Sequence, residues 1–283
     1  MIRVGLAGWG DHDELYPIGT KGSSKLGRYH EHFAAVECDS TFYAVPSQQI
    51  VHRWVEQTPS NFHFIVKAYQ GMTGHRKMDS AFTSNIHMFD TFKQAIAPMI
   101  ETNKLACVLF QYPPWFKCER KHVDILRRTR AWMGEIPIAL EFRHQSWFRD
   151  DMREKTLEFM REENWIHSVC DEPQAGEGSI PAVIEGTHAD MTMVRMHGRH
   201  MAGWINEASS DNWREVRYLY NYNAEELQEW VGHVRQLEQH SKHVIVIFNN
   251  NSGGHAAGNA KQFMKLLGQQ AAPMAPRQIS LFD

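Results

Sequence analysis

The chain has 283 residues, of which 42% are hydrophobic, and its formal net charge is −3. This length allows one large domain or two ordinary ones, and the composition is sufficient for a large core. Because the charge is close to neutral, no global field attracts nucleic acid or membrane, and any contact with nucleic acid requires a local patch.

The cysteines predict a reducing compartment rather than a zinc site or a disulfide framework. They stand at positions 38, 107, 118 and 170, with no C-x-x-C pair among them. No apolar run approaches about 18 residues, and the chain begins with a strand-like segment instead of a secretory leader. We therefore expect a cytoplasmic monomer that does not associate with membranes.

Eight apolar or β-branched runs predict strands that are buried on both faces. They span residues 2–8, 34–38, 62–68, 105–111, 136–142, 166–171, 191–197 and 243–250. Helical patterns lie between most of these runs, at 47–57, 85–100, 122–133, 150–164, 223–240 and 256–267. Asn223 and Glu226 have the spacing of a capping box, and Asp150 is predicted to cap the fourth of these helices.

The alternation of strands and helices predicts an α/β fold, a single (β/α)8 barrel of the TIM type over residues 1–268. An open, doubly wound sheet is the alternative, but no G-x-G-x-x-G follows the first strand. The βα loops are irregular, because 172–190 has no helical pattern and 198–222 is a long excursion. Residues 269–283 have the composition of a flexible tail.

Polar side chains stand at the C-terminal ends of nearly all the predicted strands, where barrels of this type carry their functional groups. They are Glu37, Lys67, Gln111, Glu141, Arg143, Asp171, Arg195, His197, Asn249 and Asn250. Strand ends also carry polar residues simply because they meet water. Charges that directly follow buried runs are costly without partners, however, which favours convergence of these side chains in one site.

The balance of charge in this set favours an anionic ligand over a permanent metal ion. Three carboxylates, at Glu37, Glu141 and Asp171, are matched by cations at Lys67, Arg143 and Arg195. We predict no cofactor; a single divalent ion held by the three carboxylates and His197 is the alternative.

Two glycine-containing loops extend the prediction of an anion site. The loops 197–203 and 249–260 offer backbone N–H groups, and the second leads into a helix N-terminus. Gly198 lies in the first loop, and Arg195 and Arg199 could add bidentate contacts to a phosphate. A glycine pair that merely makes a turn is the simpler interpretation of the second loop.

Seven motifs, in chain order, resemble the YecE-like family, the domain of unknown function numbered 72. They are GLAGW (5–9), VECDSTFYAVP (36–46), FHFIVKAYQGMTGH (62–75), VLFQYPPWF (108–116), LEFRHQSWF (140–148), VRMHGR (194–199) and FNNNSGGHAAGNA (248–260). The resemblance implies a TIM barrel and supplies no reaction. It carries over the strand-end residues given above, together with Thr41, Phe42, Tyr43, Pro113, Trp147 and Gly198. The family usually has asparagine where this chain has Asp39.

Aromatic residues near the strand ends suggest a stacking platform for a base or a sugar ring. These residues are Trp9, Tyr43, Trp115 and Trp147. The alternative is that they pack at junctions between elements, as most tryptophans do.

The segment QISLF (278–282) resembles the short peptide by which bacterial DNA-polymerase partners dock on the sliding clamp. The matching residues are Gln278, Ile279, Leu281 and Phe282. A DNA sliding clamp is therefore a candidate partner. The alternative is an apolar tail that folds back on the barrel.

The first functional hypothesis is an enzyme that acts on a phosphate-bearing ligand, a small molecule or nucleic acid. Its predicted catalytic residues are Glu37, Lys67, Glu141, Asp171 and His197. Its predicted ligand-binding residues are Tyr43, Gln111, Arg143, Trp147, Arg195, Gly198, Arg199, Asn249 and Asn250. A non-catalytic nucleotide or nucleic-acid binder is the second hypothesis, and a sugar-handling barrel the third.

Overall fold

A computed structural model describes residues 1–205 and 216–276, and within them parallel strands form a closed barrel in chain order. The strands are β1 (Ile2–Ala7), β2 (Ala35–Cys38), β3 (His63–Lys67), β4 (Leu105–Gln111), β5 (Ile138–Glu141), β6 (Ile166–Asp171), β7 (Met191–Met196) and β8 (His243–Phe248). Pairing of β1 with both β2 and β8 closes the sheet. The predicted (β/α)8 barrel is therefore confirmed, and the open sheet is excluded.

Helices cover the outside of the barrel. In the described parts of the chain they are α1 (Gly22–Tyr29), α2 (Ser40–Tyr43), α3 (Gln48–Glu56), α4 (Asn85–Glu101), α5 (Arg120–Met133), α6 (Arg153–Glu162), α7 (Met201–Ile205), α8 (Ala224–Glu238) and α9 (His255–Leu266). The sequence did not predict α1, because only Leu26 and Tyr29 of its eight residues are buried and no apolar stripe results. The loop-like character of 172–190 is confirmed.

The helix caps test two of the sequence predictions. The capping box of α8 is present: the Asn223 side chain accepts a hydrogen bond from the Glu226 amide, and Glu226 accepts one from the Asn223 amide. The prediction that Asp150 caps α6 is wrong. That helix begins at Arg153, and Met152 occupies the cap position without a side-chain hydrogen bond.

The inside of the barrel changes from apolar to polar toward the C-terminal ends of the strands. The apolar layers include Ala35, Ile65, Leu109, Ala139, Met193 and Ile247. Side chains alternate between the two faces of a strand, so residues two positions further along also point inward. Those positions hold Glu37, Lys67, Gln111, Glu141, Arg195 and Asn249. Inside the barrel, a polar layer of side chains therefore lies on top of the apolar layers, at the C-terminal ends of the strands.

The segment 269–276 lies against the barrel, although its composition predicted a flexible spacer. The Gln269 side chain donates to the Ile2 carbonyl at 2.9 Å, and the Ala275 amide donates to the Glu14 carbonyl at 3.1 Å. Lys261 of α9 donates to the carbonyls of Ala272 and Pro273. The clamp-like residues Gln278, Ile279, Leu281 and Phe282 lie outside the described residues.

No helix in the described ranges is both long and apolar enough to cross a bilayer.

Candidate functional site

Arg195 lies at the centre of the polar layer and connects two carboxylates from distant strands. Its Nε and Nη2 donate to the two oxygens of Glu37, at 2.8 and 2.5 Å. Its Nη1 donates to Glu141 Oε2 at 2.7 Å and to Gln111 Oε1 at 3.3 Å. Arg195 is 1% exposed and the Glu37 and Glu141 side chains are fully buried. All three nitrogens of the guanidinium group thus donate to protein acceptors.

Arg143 extends this network toward β6. Its Nη2 lies 2.6 Å from Glu141 Oε1, and its Nη1 donates to Glu172 Oε2 at 2.9 Å. Glu172 also accepts a hydrogen bond from the Ile180 amide at 2.7 Å, which holds its carboxylate in place. We call the five paired charges Glu37, Glu141, Arg143, Glu172 and Arg195 the ion floor.

The carboxylates of the ion floor differ in their acidity. Burial raises the pKa of Glu37 to about 7, although Arg195 opposes the shift. Burial likewise raises the pKa of Glu172 to about 7, against the attraction of Arg143. For Glu141 burial also acts upward, but two guanidinium groups outweigh it, and the pKa falls well below its usual range. Of the three carboxylates in the ion floor, Glu141 is therefore the one that stays ionised near neutral pH.

His197 is a neutral imidazole enclosed by this network. Burial and the neighbouring Arg143 and Arg195 lower its pKa well below the usual value. Its Nε2 lies 3.0 Å from Arg143 Nη2, a donor, and its Nδ1 lies 2.9 Å from the Asn249 amide. The atom of Asn249 that faces Nδ1 is the amide nitrogen Nδ2. Because Nε2 accepts from Arg143, we assign the proton of the neutral ring to Nδ1, which requires the Asn249 amide to be turned over so that its oxygen accepts that proton.

Lys67 and Asp39 form an ion pair beside the ion floor, with 3.1 Å between Nζ and Oδ1. Their side chains are 15% and 33% exposed. Burial acts to lower the pKa of Lys67, but Asp39 outweighs it and the pKa is raised. Burial acts to raise the pKa of Asp39, but Lys67 and Arg195 outweigh it and the pKa is lowered. Both groups are charged at neutral pH.

A cavity of about 590 Å³ opens above the ion floor, and we call it the mouth. Among the described residues it is lined by Asp11, Asp39, Phe42, Tyr43, Lys67, His75, Gln111, Pro114, Arg143, Arg217, Tyr218, Asn249, Asn251 and Ser252. Its volume is within the usual range for small-molecule sites. Lys67, Arg143 and Arg217 supply positive charge, and Phe42, Tyr43 and Tyr218 supply aromatic rings.

The predicted site residues fall into three groups. Five of them line the mouth: Tyr43, Lys67, Gln111, Arg143 and Asn249. Four lie buried near or within the ion floor: Glu37, Glu141, Arg195 and His197. The structure therefore disfavours direct contact between a ligand and Arg195, because all three nitrogens of its guanidinium group already donate to Glu37 or Glu141.

The third group lies away from the mouth. Asp171 accepts hydrogen bonds from Arg199 and from the Tyr222 hydroxyl, which also accepts from the Gly198 amide. Asn250 donates to Asn259 of α9 at 2.8 Å. Strand alternation explains this placement. Cys170 is in register with the inward-pointing Arg195, so the next residue, Asp171, points toward the helices.

Most of the predicted aromatic platform is absent from the mouth. Trp147 is buried, stacks on Phe142 with ring centroids 4.1 Å apart, and donates to the Phe116 carbonyl. Trp9 packs edge-on against Trp54. Trp115 lines a separate cavity of about 390 Å³. Only Tyr43 of the predicted four lines the mouth.

The predicted anion loops contribute less than expected. Asn249, Asn251 and Ser252 of the second loop line the mouth, but Gly253 and Gly254 at the N-terminus of α9 do not, and neither does any residue of 197–203. Positive charge in the mouth comes from side chains instead.

Sequence reasoning gave no role to Asp11, His75, Arg217 or Tyr218. His75 ends one of the seven motifs, so the motif could have indicated it. Arg217 and Tyr218 come from the long excursion after β7, where no periodicity marks them.

The structure does not assemble the donor set suggested for a divalent ion. Asp171 points outward, and both oxygens of Glu141 lie beside guanidinium nitrogens. Within the described ranges, Glu141, Cys170 and His197 do bring ligand atoms within 4.8 Å of one another. Burial raises the pKa of the Cys170 thiol well above its usual value, however, which disfavours the thiolate that a metal requires.

Fold and site together define a single (β/α)8 barrel with a buried network of paired charges beneath a basic, aromatic mouth. The chain belongs to the family described as protein of unknown function DUF72, whose model matches residues 3–280. It is 52% identical over 282 residues to UPF0759 protein YunF of Bacillus subtilis (strain 168), with both chains fully covered.

Solved structures show the same fold. A DUF72 family protein from Enterococcus faecalis superposes with a TM-score of 0.90 at 36% identity, covering 99% of this chain and 100% of that one. A DUF72 family protein from Thermotoga maritima gives a TM-score of 0.80 at 33% identity, covering 95% and 100%.

Proposed function

We propose that the mouth binds a phosphate-containing ligand, a nucleotide or a segment of nucleic acid, and acts on its phosphate ester. The observation that supports this best is that Lys67, Arg143 and Arg217 line one cavity with three aromatic rings. A phosphate is attracted to clustered cations, and a base or sugar stacks on the rings. Asp11 and Asp39 are the acidic residues of the described lining.

The ion floor supports anion binding by a second route. With pKa values of about 7, Glu37 and Glu172 can each take up a proton near neutral pH. An anion arriving above them disfavours their ionised forms and raises their pKa values further. Binding is then coupled to proton uptake, so that the site adjusts its own charge to the ligand.

His75 is the best-placed group for acid–base chemistry. Burial, Lys67 and Arg143 lower its pKa to about 4, so the ring is neutral at pH 7. Its Nδ1 lies 2.8 Å from the Thr73 hydroxyl, which is also 3.3 Å from the Gln70 carbonyl. When Thr73 donates to that carbonyl, Nδ1 must donate to Thr73, and Nε2 carries the lone pair of a general base.

The binding experiment uses the methyl diester of a nucleoside 5′-monophosphate, which keeps one negative charge between pH 6 and 8. Lys67→Met should weaken binding about tenfold and reduce the salt dependence by about one counterion. Lys155→Met, which removes an exposed charge from α6, is the matched control. Affinity should also rise as the pH falls from 8 to 6. Wild-type protein that binds neither this ester nor inorganic phosphate would refute the proposal.

Catalysis is tested separately with a chromogenic phosphodiester. His75→Gln should lower turnover at least about 100-fold and leave the affinity for the ester nearly unchanged. Wild-type protein that binds the ester without turnover would support the non-catalytic binder instead. The sugar hypothesis is less favoured, because its paired carboxylates, Glu37 and Glu141, lie buried against Arg195.

We further propose that Gln278, Ile279, Leu281 and Phe282 dock on a bacterial sliding clamp. The match of these residues to the clamp-binding pattern supports this partner. The bond from the Ala275 amide to the Glu14 carbonyl holds only the preceding segment against the barrel. Replacing Leu281 and Phe282 with alanine should abolish binding to immobilised clamp and shift the melting temperature by less than about 2 °C. Retained clamp binding would refute this proposal, and a larger loss of stability would favour the folded-back tail.

A further inference from the structure

A second cavity adjoins the mouth, and Tyr43 lines both. It has a volume of about 560 Å³ and lies between the α2–α3 connection, the end of β3 and helix α4. Its described lining is Tyr43, Ala44, Val45, Pro46, Ser47, Gln48, Tyr69, Asp79, Ala81, Phe82, Thr91, Gln94 and Ala95. We call this cavity the Tyr43 groove.

The backbone holds Tyr43 as a fixed partition between the two cavities. The Gln70 amide donates to the Phe42 carbonyl at 2.9 Å, and the Gln70 side chain donates to the Tyr43 carbonyl at 3.3 Å. The Phe42 ring meets the Tyr43 ring edge-on at 5.3 Å and carries Lys67 Nζ 5.1 Å from its centroid on the mouth side. The Tyr43 side chain is 53% exposed, so a ligand can reach it.

The charges of the two cavities are complementary to different parts of one ligand. The mouth has Lys67, Arg143 and Arg217 in its wall, whereas the described lining of the groove contains no Lys, Arg or His and a single carboxylate, Asp79. That carboxylate accepts a hydrogen bond from the Ala81 amide. A phosphate therefore favours the mouth, and a neutral group favours the groove.

The surfaces of the groove suit a planar ring with polar edges. Tyr43, Pro46, Tyr69 and Phe82 supply apolar and aromatic area. Gln48 and Gln94 are exposed, and within the described ranges their side-chain amides form no hydrogen bond with the protein. An amide of this kind can donate and accept at the edge of a nucleobase.

We propose that the Tyr43 groove binds the second ring-bearing unit of a phosphodiester whose phosphate lies in the mouth. This inference rests on the proposed function and gives it a substrate class: a dinucleotide or longer strand rather than a mononucleotide. Tyr43 separates the two units, and a base stacks on it.

The test compares two ligands of equal charge, the dinucleoside monophosphate ApA and the methyl ester of adenosine 5′-monophosphate, by calorimetry. Wild-type protein should bind ApA about tenfold more tightly, the gain expected from stacking one base. Gln94→Trp fills the groove and should reduce this ratio to about one. Gln49→Trp, on α3 but not in the lining, is the control and should keep the ratio.

The outcomes separate the two proposals. Equal affinity of wild-type protein for both esters would refute the proposal that the Tyr43 groove binds a second unit, and so would an unchanged ratio of the two affinities in Gln94→Trp. Either result would leave the proposal of phosphate binding in the mouth intact. Failure to bind either ester would refute both. Tyr43→Ala gives an independent measurement of the same ratio, which should fall toward one even if the tryptophan variant folds poorly.

Discussion

At the scale of single residues, Arg195 decides whether the polar layer is stable. Two carboxylates, Glu37 and Glu141, are fully buried, and each receives a hydrogen bond of 2.8 Å or less from this one guanidinium group. A buried charge is tolerated when it is paired and strongly penalised when it is not. Removing Arg195 should therefore cost more than the loss of a surface ion pair.

We expect Arg195→Met to lower the free energy of unfolding by about 3–5 kcal/mol, because it leaves the buried Glu37 unpaired and leaves Glu141 with Arg143 alone. Arg128→Met, which removes an exposed arginine from α5, should change it by less than about 0.5 kcal/mol. Urea unfolding followed by circular dichroism measures both. Similar midpoints for the two variants would contradict the pairing described for the ion floor.

At the scale of elements, two glycines show what close packing requires. A Cβ on Gly5 in β1 would lie 2.1 Å from the Ala35 carbonyl oxygen of β2, a backbone atom that the strand pairing fixes. A Cβ on Gly232 in α8 would meet no atom within 4 Å. The same substitution should thus have opposite effects in the two elements.

Gly5→Ala should destabilise the protein by about 3 kcal/mol or more, because the neighbouring strand must move. Gly232→Ala should stabilise it by about 0.5–1 kcal/mol, because it reduces the conformational freedom of the unfolded chain at a helical position. Thermal unfolding of the pair is the measurement. If Gly5→Ala left the stability unchanged, this would contradict the close approach of residue 5 to the Ala35 carbonyl oxygen.

The sequence predicted the elements better than the site. Continuous apolar runs mark buried strands, so the barrel and its polar rim could be predicted. Asp171 and Asn250 also end strands, and only their outward alternation separates them from Cys170 and Asn249. Arg217 could not be predicted, since tertiary folding brings a residue of the long excursion after β7 into the mouth.

At the scale of the whole molecule, histidine burial sets the pH dependence of stability. Burial is the largest cause of a lowered pKa at His12, His32, His63, His75, His144, His167, His188, His197 and His243. For His63, His75 and His167 the value falls to about 4. The carboxyls of Glu37 and Glu172 are shifted in the opposite sense, to about 7.

The free energy of unfolding should therefore rise as the pH increases from about 4 to about 6.5. In this range the unfolded histidines bind protons that the folded ones do not, which favours the unfolded state at the acid end. Glu37 and Glu172 oppose the trend, because the folded state binds their protons up to about pH 7. Urea midpoints at pH 5 and pH 7 measure the balance, and a higher midpoint at pH 5 would contradict the dominance of the histidines.

The ion floor also restricts how relatives of this protein can diverge. Each of its charges is the partner of another. Replacing Arg195 or Arg143 strands Glu37 or Glu172, and replacing Glu37, Glu141 or Glu172 removes one of the two partners of a buried arginine. These positions are expected to change together or not at all. Tyr218 belongs to the wall of the mouth instead and can vary by itself. Differences in ligand among related barrels should therefore accumulate in the wall, while the layer beneath is inherited as a unit.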